Sequence, residues 1–236
     1  MKTKLSNTKI NTIVNAVETA IMHLNGNLYQ ERRLDQKRYG LSLEKYNGIF
    51  HSNHTDIKGQ LKQSRADTGK KIGSMLEKYV VLELANSTDA IFAGASGYDM
   101  ELYNTKWETK TTIIYNDSNI KAFSGNMHGI KTTDRWLFIG LKYDEVYSIC
   151  TNYCVIIVND KDIVNTKEMW TKSIQRNSDR QRNNNSFLQL KFLKEDFNNL
   201  NIYKGDKSKL TPTGKESTYV TFKPLGEIPN VKLYKK

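Results

Sequence analysis

Asp99, Glu101, Glu108 and Lys110 are the residues of this chain best suited to chemistry. Carboxylates are hard oxygen ligands for a divalent cation, and an amine beside them can meet a phosphate. Their spacing suggests that they work together. Side chains alternate along a strand, so Asp99 and Glu101 share a face, as do Glu108 and Lys110 on the next strand. A turn at Asn104-Thr105, or over the four residues Tyr103 to Lys106, would fold residues 98–110 into a β-hairpin. Leu102 would then stand opposite Trp107, Glu101 opposite Glu108 and Asp99 opposite Lys110. Met100, Leu102, Trp107 and Thr109 would form the other, core-packing face. A slip of one residue would turn one strand's whole set away. The bland alternative is a solvated hairpin whose charges only face water.

The flanking sequence supplies elements to hold such a hairpin. Ile10, Ile13, Val14, Val17, Ile21 and Leu24 recur at helical spacing, with Asn25-Gly26 as a stop. Residues 27–65 are polar and basic, with Glu31-Arg32-Arg33 and Gln36-Lys37-Arg38-Tyr39 as examples. They read as phosphate-gripping helices and loops or as a solvated helical cap. A helix is predicted over 67–85, with Ile72, Met75, Leu76, Tyr79 and Val80 as its buried stripe. Glu77 borders that stripe, four residues after Gly73. Glu83 falls near its centre, where an unpaired carboxylate is costly. Either acid could reach the hairpin face; the alternative is an exposed Glu77 and a frayed end at Glu83.

Beyond the hairpin, residues 116–133 are polar and include Lys121, Ser124, Asn126, His128 and Lys131. Strands are predicted over 135–141 and 146–158, the second with a break near Thr151-Asn152, from their β-branched and aromatic content. A short helix is expected over 162–174, a breaker-rich segment over 175–186, and strands over 187–192 and 219–222. No internal repeat or interdomain linker is evident.

Composition limits the function classes. A chain of 236 residues suits one elaborated domain, and 38% hydrophobic with 10% aromatic residues can fill a core. No apolar run is long enough to span a membrane, and Met1-Lys2-Thr3-Lys4-Leu5-Ser6 lacks the apolar core of a signal peptide. Cys150 and Cys154 have no second pair to complete a zinc site and read as reduced packing residues of a cytosolic protein. A net charge of +11 and a pI near 9.4 point to a polyanionic partner, with nucleic acid the natural choice.

The order of a helix with Glu77, a strand with Asp99 and a strand with Glu108-Thr109-Lys110 resembles the PD-(D/E)XK nuclease superfamily, and within it the type II restriction endonucleases. Two other acid-x-Lys triplets occur, Asp35-Gln36-Lys37 and Asp56-Ile57-Lys58. Only the third follows an Asp at hairpin distance and precedes a β-branched run, Thr111-Thr112-Ile113-Ile114. Tyr98 stands where the family often has Pro. The resemblance spans residues 67–160.

It implies an α/β (α+β) fold with a restriction-endonuclease-like core: a central mixed β-sheet of about five strands flanked by helices. A helical region over 1–66 would precede the catalytic core at 67–160, with recognition and peripheral elements over 161–236, all in one domain. It implies Mg²⁺ held by Asp99, Glu108 and the backbone carbonyl of Thr109, with Glu101 a further contender, Glu77 the preceding helix acid and Lys110 beside the attacking water. The expected reaction is hydrolysis of double-stranded DNA at a short palindromic site, leaving 5′-phosphate ends. The expected agent is a homodimer in the bacterial cytoplasm, not bound to membrane. Candidate DNA contacts are Lys121, Asn126, His128 and Lys131, then Arg176, Arg180 and Arg182, since Arg suits guanine edges and the neighbouring Asn and Gln suit adenine. Residues 175–186 read equally as a surface loop. A structure-specific repair or junction-resolving nuclease of the same fold remains an alternative, as does a noncatalytic DNA-binding protein.

Overall fold

Apolar residues at helical spacing build one layer of the protein. The computed structural model describes residues 4–39, 57–93, 98–115, 122–127, 133–144, 149–159, 170–173, 186–191, 201–210 and 217–226. Helix α1 (Asn7–Tyr39) begins where Ser6 caps it, its Oγ accepting from the Lys9 N–H at 3.3 Å. Ile13, Val17, Ile21 and Leu24 are wholly buried along one face.

The helix does not stop at Asn25-Gly26, as the sequence suggests, but runs on to Tyr39. Asn25 is itself wholly buried. Its Nδ2 donates to the Cys150 carbonyl at 2.8 Å and its Oδ1 accepts from the Cys150 N–H at 2.7 Å. The residue that resembles a helix terminator is a side-chain clamp on a strand.

Helix α2 (Ile57–Ala85) starts well before the expected residue 67. Ile72, Leu76, Val80 and Leu84 form its buried stripe, with Met75 and Tyr79 packed beside them. Glu83 turns toward α1, where it pairs with His23 Nδ1 at 3.0 Å. That contact, rather than the hairpin, occupies the second of the two helix acids.

Among the described residues the sheet has seven strands instead of about five. They are β1 (Ile91–Phe92), β2 (Met100–Leu102), β3 (Thr105–Tyr115), β5 (Arg135–Asp144), β6 (Ile149–Asn159), β9 (Asn201–Lys204) and β12 (Lys223–Pro224). The order is β1-β2-β3-β5-β6-β12, with β9 also on β6. Only β3 and β5 pair in parallel; the other ladders of this sheet are antiparallel. The sheet is therefore mixed but mostly antiparallel.

Leu137, Ile139 and Leu141 of β5 join both helices in one apolar cluster. Trp136 and Phe138 project from the other face, their rings stacked with centroids 5.8 Å apart. The two described helices thus cover one sheet face instead of flanking both. Burial on both faces explains why the β5 and β6 sequences are nearly continuous apolar runs. The expected break in β6 is a one-residue bulge: Lys142 pairs with Asn152 and Tyr143 with Cys150, leaving Thr151 extra. The Thr151 carbonyl accepts from the Leu225 N–H at 2.9 Å.

Two smaller sheets complete the described chain. One is β4 (Ala122–Met127), β8 (Ser186–Lys191) and β7 (Trp170–Ser173), in the order β4-β8-β7; the other pairs β10 (Asp206–Leu210) with β11 (Ser217–Thr221). Residues 170–173 are therefore strand, not the end of a helix, because each finds a partner on β8. Strand β4 lies inside a stretch whose sequence gave no strand signal. Among the described residues no helix is long and apolar enough to cross a membrane.

Candidate active site

Glu108, Thr109 and Lys110 lie in the middle of β3, with the hairpin on one side and β5 on the other. The hairpin turn is the pair Tyr103-Asn104, with φ of 53° and 57°. This corrects the expected turn, which included Thr105. Two consecutive left-handed residues match the twist of the flanking strands, and a β-branched Thr resists that conformation. Thr105 instead donates its hydroxyl to the Leu102 carbonyl at 2.7 Å.

The pairing accordingly differs from expectation by two residues. Met100 stands opposite Trp107, Glu101 opposite Lys106 and Leu102 opposite Thr105. A two-residue shift preserves every face. Met100, Leu102 and Trp107 are wholly buried in the core cluster, and Glu108 and Lys110 leave the strand on the opposite side.

Asp99 lies one residue beyond β2 and brackets Glu108. Its N–H donates to the Trp107 carbonyl at 2.9 Å, and its Oδ2 accepts from the Thr109 N–H at 2.6 Å. Glu108 is wholly buried. Its Oε1 contacts the Lys110 ammonium directly, while Oε2 accepts no hydrogen bond. On β5, Trp136 pairs with Glu108 and Phe138 with Lys110, so aromatic residues flank the charged pair.

Burial pushes Lys110 toward the neutral amine. Contact with Glu108 and the charges of Asp99 and Glu77 outweigh it, and the pKa lies above the usual lysine value. Glu77 makes the smallest of these contributions. Helix α2 reaches β3 one turn earlier, where a Cβ on Gly73 would sit 3.7 Å from Thr111 Cβ. Asp99, Glu108 and Lys110 thus meet at the middle of β3, and Glu77 lies on the helix that packs against that strand.

Glu101 does not join them. It lies toward the turn, is exposed, and accepts a hydrogen bond from the Tyr98 hydroxyl. Lys106, across the ladder, sits 4.9 Å from the Tyr98 ring centroid. Asn126 belongs to β4. Lys121, His128, Lys131, Arg176, Arg180 and Arg182 lie outside the described residues, as does most of the segment over 175–186.

Among the described residues no three His, Cys, Asp or Glu side chains form a ready-made metal-ligand group. The available donors are two carboxylates, from Asp99 and Glu108, and the Thr109 carbonyl. All three are hard oxygens and suit Mg²⁺, which keeps several waters and takes only one or two carboxylates from a protein. The donor chemistry therefore fits that ion.

Several supporting contacts escaped the sequence reading. Asp134 Oδ2 accepts from the Lys106 N–H at 3.0 Å and Thr133 Oγ1 donates to the Lys106 carbonyl at 3.0 Å, tying the start of β3 to β5. Lys9 Nζ lies 4.3 Å from the Tyr103 ring centroid, tying the turn to α1. No sequence signal marks these pairs. Asn25 did carry one, since it completes an i, i+3, i+4, i+7 pattern with Ile21, Leu24 and Leu28.

No family model, curated protein or solved structure matches this chain. Fold and site alone define its class: in the described residues, a mixed α/β protein with a mostly antiparallel sheet, two long helices on one face and a carboxylate–amine pair on strand β3.

Proposed function

We propose that this chain is a Mg²⁺-dependent nuclease that hydrolyses phosphodiester bonds of double-stranded DNA, in the manner of a type II restriction endonuclease. The observation that carries the reading is the buried Glu108 carboxylate in direct contact with the Lys110 ammonium, with Asp99 bonded to the backbone between them and Glu77 on the preceding helix. Those four residues come from a helix, a strand approach and a strand, in the order that the PD-(D/E)XK resemblance implies. The net charge of +11 suits a DNA partner.

Asp99, Glu108 and the Thr109 carbonyl would hold the metal. When bound, Mg²⁺ polarises a phosphate oxygen and lowers the pKa of a water ligand. Asp99 fixes the Glu108–Thr109 peptide by accepting from the Thr109 N–H. Lys110 presents its proton-bearing ammonium to the attacking water and to the charge that grows on the scissile phosphate. Glu108 and Asp99, with a smaller part from Glu77, keep that ammonium protonated. Trp136 and Phe138 keep bulk water from one side of the pair, which strengthens every charge interaction there.

Incubation with a phage-sized duplex and Mg²⁺, beside an EDTA control, tests the reading. Discrete, reproducible fragments with 5′-phosphate ends are expected, and sequencing of those ends yields site and overhang. Cleavage confined to branched or damaged DNA would replace sequence recognition by structural recognition. DNA binding with no cleavage at all would reduce the protein to a noncatalytic binder. A palindromic target calls for two-fold symmetry, so sedimentation on cognate DNA is expected to give a dimer.

A further inference from the structure

We propose that the Lys110 ammonium competes with a divalent metal for Glu108, so that metal entry and release of the ammonium toward substrate are a single exchange. The proposal rests on the reading of Asp99 and Glu108 as metal ligands. A wholly buried carboxylate needs a counter-charge, and Lys110 supplies it by direct contact with Glu108 Oε1. They stand two positions apart on one strand, so both side chains leave β3 on the same face and meet without help from another element. Lys110 is itself largely buried, with its side chain 20% exposed, and feels Asp99 as well. The ammonium therefore takes up the attraction of the two carboxylates that a metal would also use.

Two cations cannot share that position without strong repulsion in so buried a setting. The flexible four-carbon stem of lysine resolves the conflict, because the ammonium can swing while its Cα stays in the ladder. Once displaced from Glu108, it needs another anion, and a phosphate at the same site provides one. Metal and phosphate binding then favour one another, and the coupling acts equally in both directions.

The test is Mn²⁺ binding by titration calorimetry, without DNA and at fixed pH, for the full-length wild type, Lys110→Met and Lys110→Gln. The Gln variant keeps a hydrogen-bond donor for Glu108 and guards against loss of the fold in the Met variant. Both are expected to bind Mn²⁺ at least about tenfold more tightly than wild type, the lower end of the effect of a neighbouring charge. Their melting temperatures should also rise further with Mn²⁺. Equal or weaker binding in both variants overturns the exchange. Absence of Mn²⁺ binding in all three proteins overturns it together with the metal site. Tightened binding in the variants, with no DNA cleavage by wild type, leaves the exchange standing and removes only the nuclease reading.

Discussion

Asp99 and Glu108 are bracketed by the same short piece of backbone. The Asp99 amide holds the carbonyl before Glu108 and its carboxylate holds the amide after it, at 2.9 and 2.6 Å. Asp99 therefore has two separable tasks, one as an acceptor and one as a charge. Asp99→Asn keeps an acceptor for the Thr109 N–H and should hold stability within about 1 kcal/mol of wild type. It should still lose Mg²⁺-dependent cleavage by about a hundredfold or more, as removal of a preorganised electrostatic group does. Asp99→Ala should lose both, with a further drop of about 1–2 kcal/mol in chemical denaturation.

Glu108→Gln removes the buried charge while keeping its shape. Cleavage is expected to vanish, and Mn²⁺ binding to weaken by about a hundredfold, within the 10–100-fold cost known for even outer-shell changes at metal sites. Circular dichroism should remain that of the wild type. Wild-type metal affinity in this variant would remove Glu108 from the ligand set.

The Asn25 clamp is a stability element remote from the cluster. Asn25→Leu leaves the Cys150 N–H and C=O buried without these partners, at about 1–3 kcal/mol for each. A fall of about 3 kcal/mol in unfolding free energy is expected from urea titration. Mn²⁺ affinity of the folded variant should not change.

These contrasts bear on what a sequence reveals. The two faces of the hairpin were legible, because alternation follows from strand geometry alone. Its register was not, since it depends on Tyr103 adopting positive φ, and nothing in a Tyr-Asn pair announces that. Asn25-Gly26 reads as a helix stop because a polar residue before glycine often ends a helix, although the spacing of Ile21, Leu24, Asn25 and Leu28 continues the buried stripe. Strand β4 and strand β7 were missed for different reasons. Strand β4 exists through pairing with β8, far along the chain, and its residues have weak strand preference, while β7 is four residues long, too short to show a strand period. Glu77, Asp99, Glu108 and Lys110 were chosen by order and spacing, and the contact of Glu108 with Lys110 is what the structure adds to that choice. Setting Glu101 aside required the Tyr98 contact.

Cys150 belongs to the helix-side core, and Cys154 faces the other way along β6. Burial pushes both thiols up to about 12 from an ordinary value of 9.0. In the folded state they stay protonated where an unfolded chain would begin to ionise. Their contribution to stability is thus complete below pH 9.0 and is lost as pH rises toward about 12. Urea midpoints should fall across that window, and both thiols should resist a thiol reagent at pH 8 until denaturant is added. Replacement of both by Ala should flatten the alkaline decline.

The left-handed turn offers a further check on register. Asn104→Gly should preserve or raise stability by up to about 1 kcal/mol, because glycine accepts positive φ without strain. Asn104→Val should cost about 1–2 kcal/mol. If both variants melt alike, the turn lies elsewhere.

Parallel pairing of β3 with β5 has a kinetic consequence. The hairpin edge of β3 can form from neighbours in sequence, but its other edge must wait for the chain to cross over through residues 116–134. Non-local closure of this kind is slow and comes late in folding. The strand with Glu108 and Lys110 therefore acquires its second neighbour only when the long-range topology is in place. A nascent or partly folded chain would hold the acids and the lysine without their final frame, and the assembled cluster would be one of the last features to form.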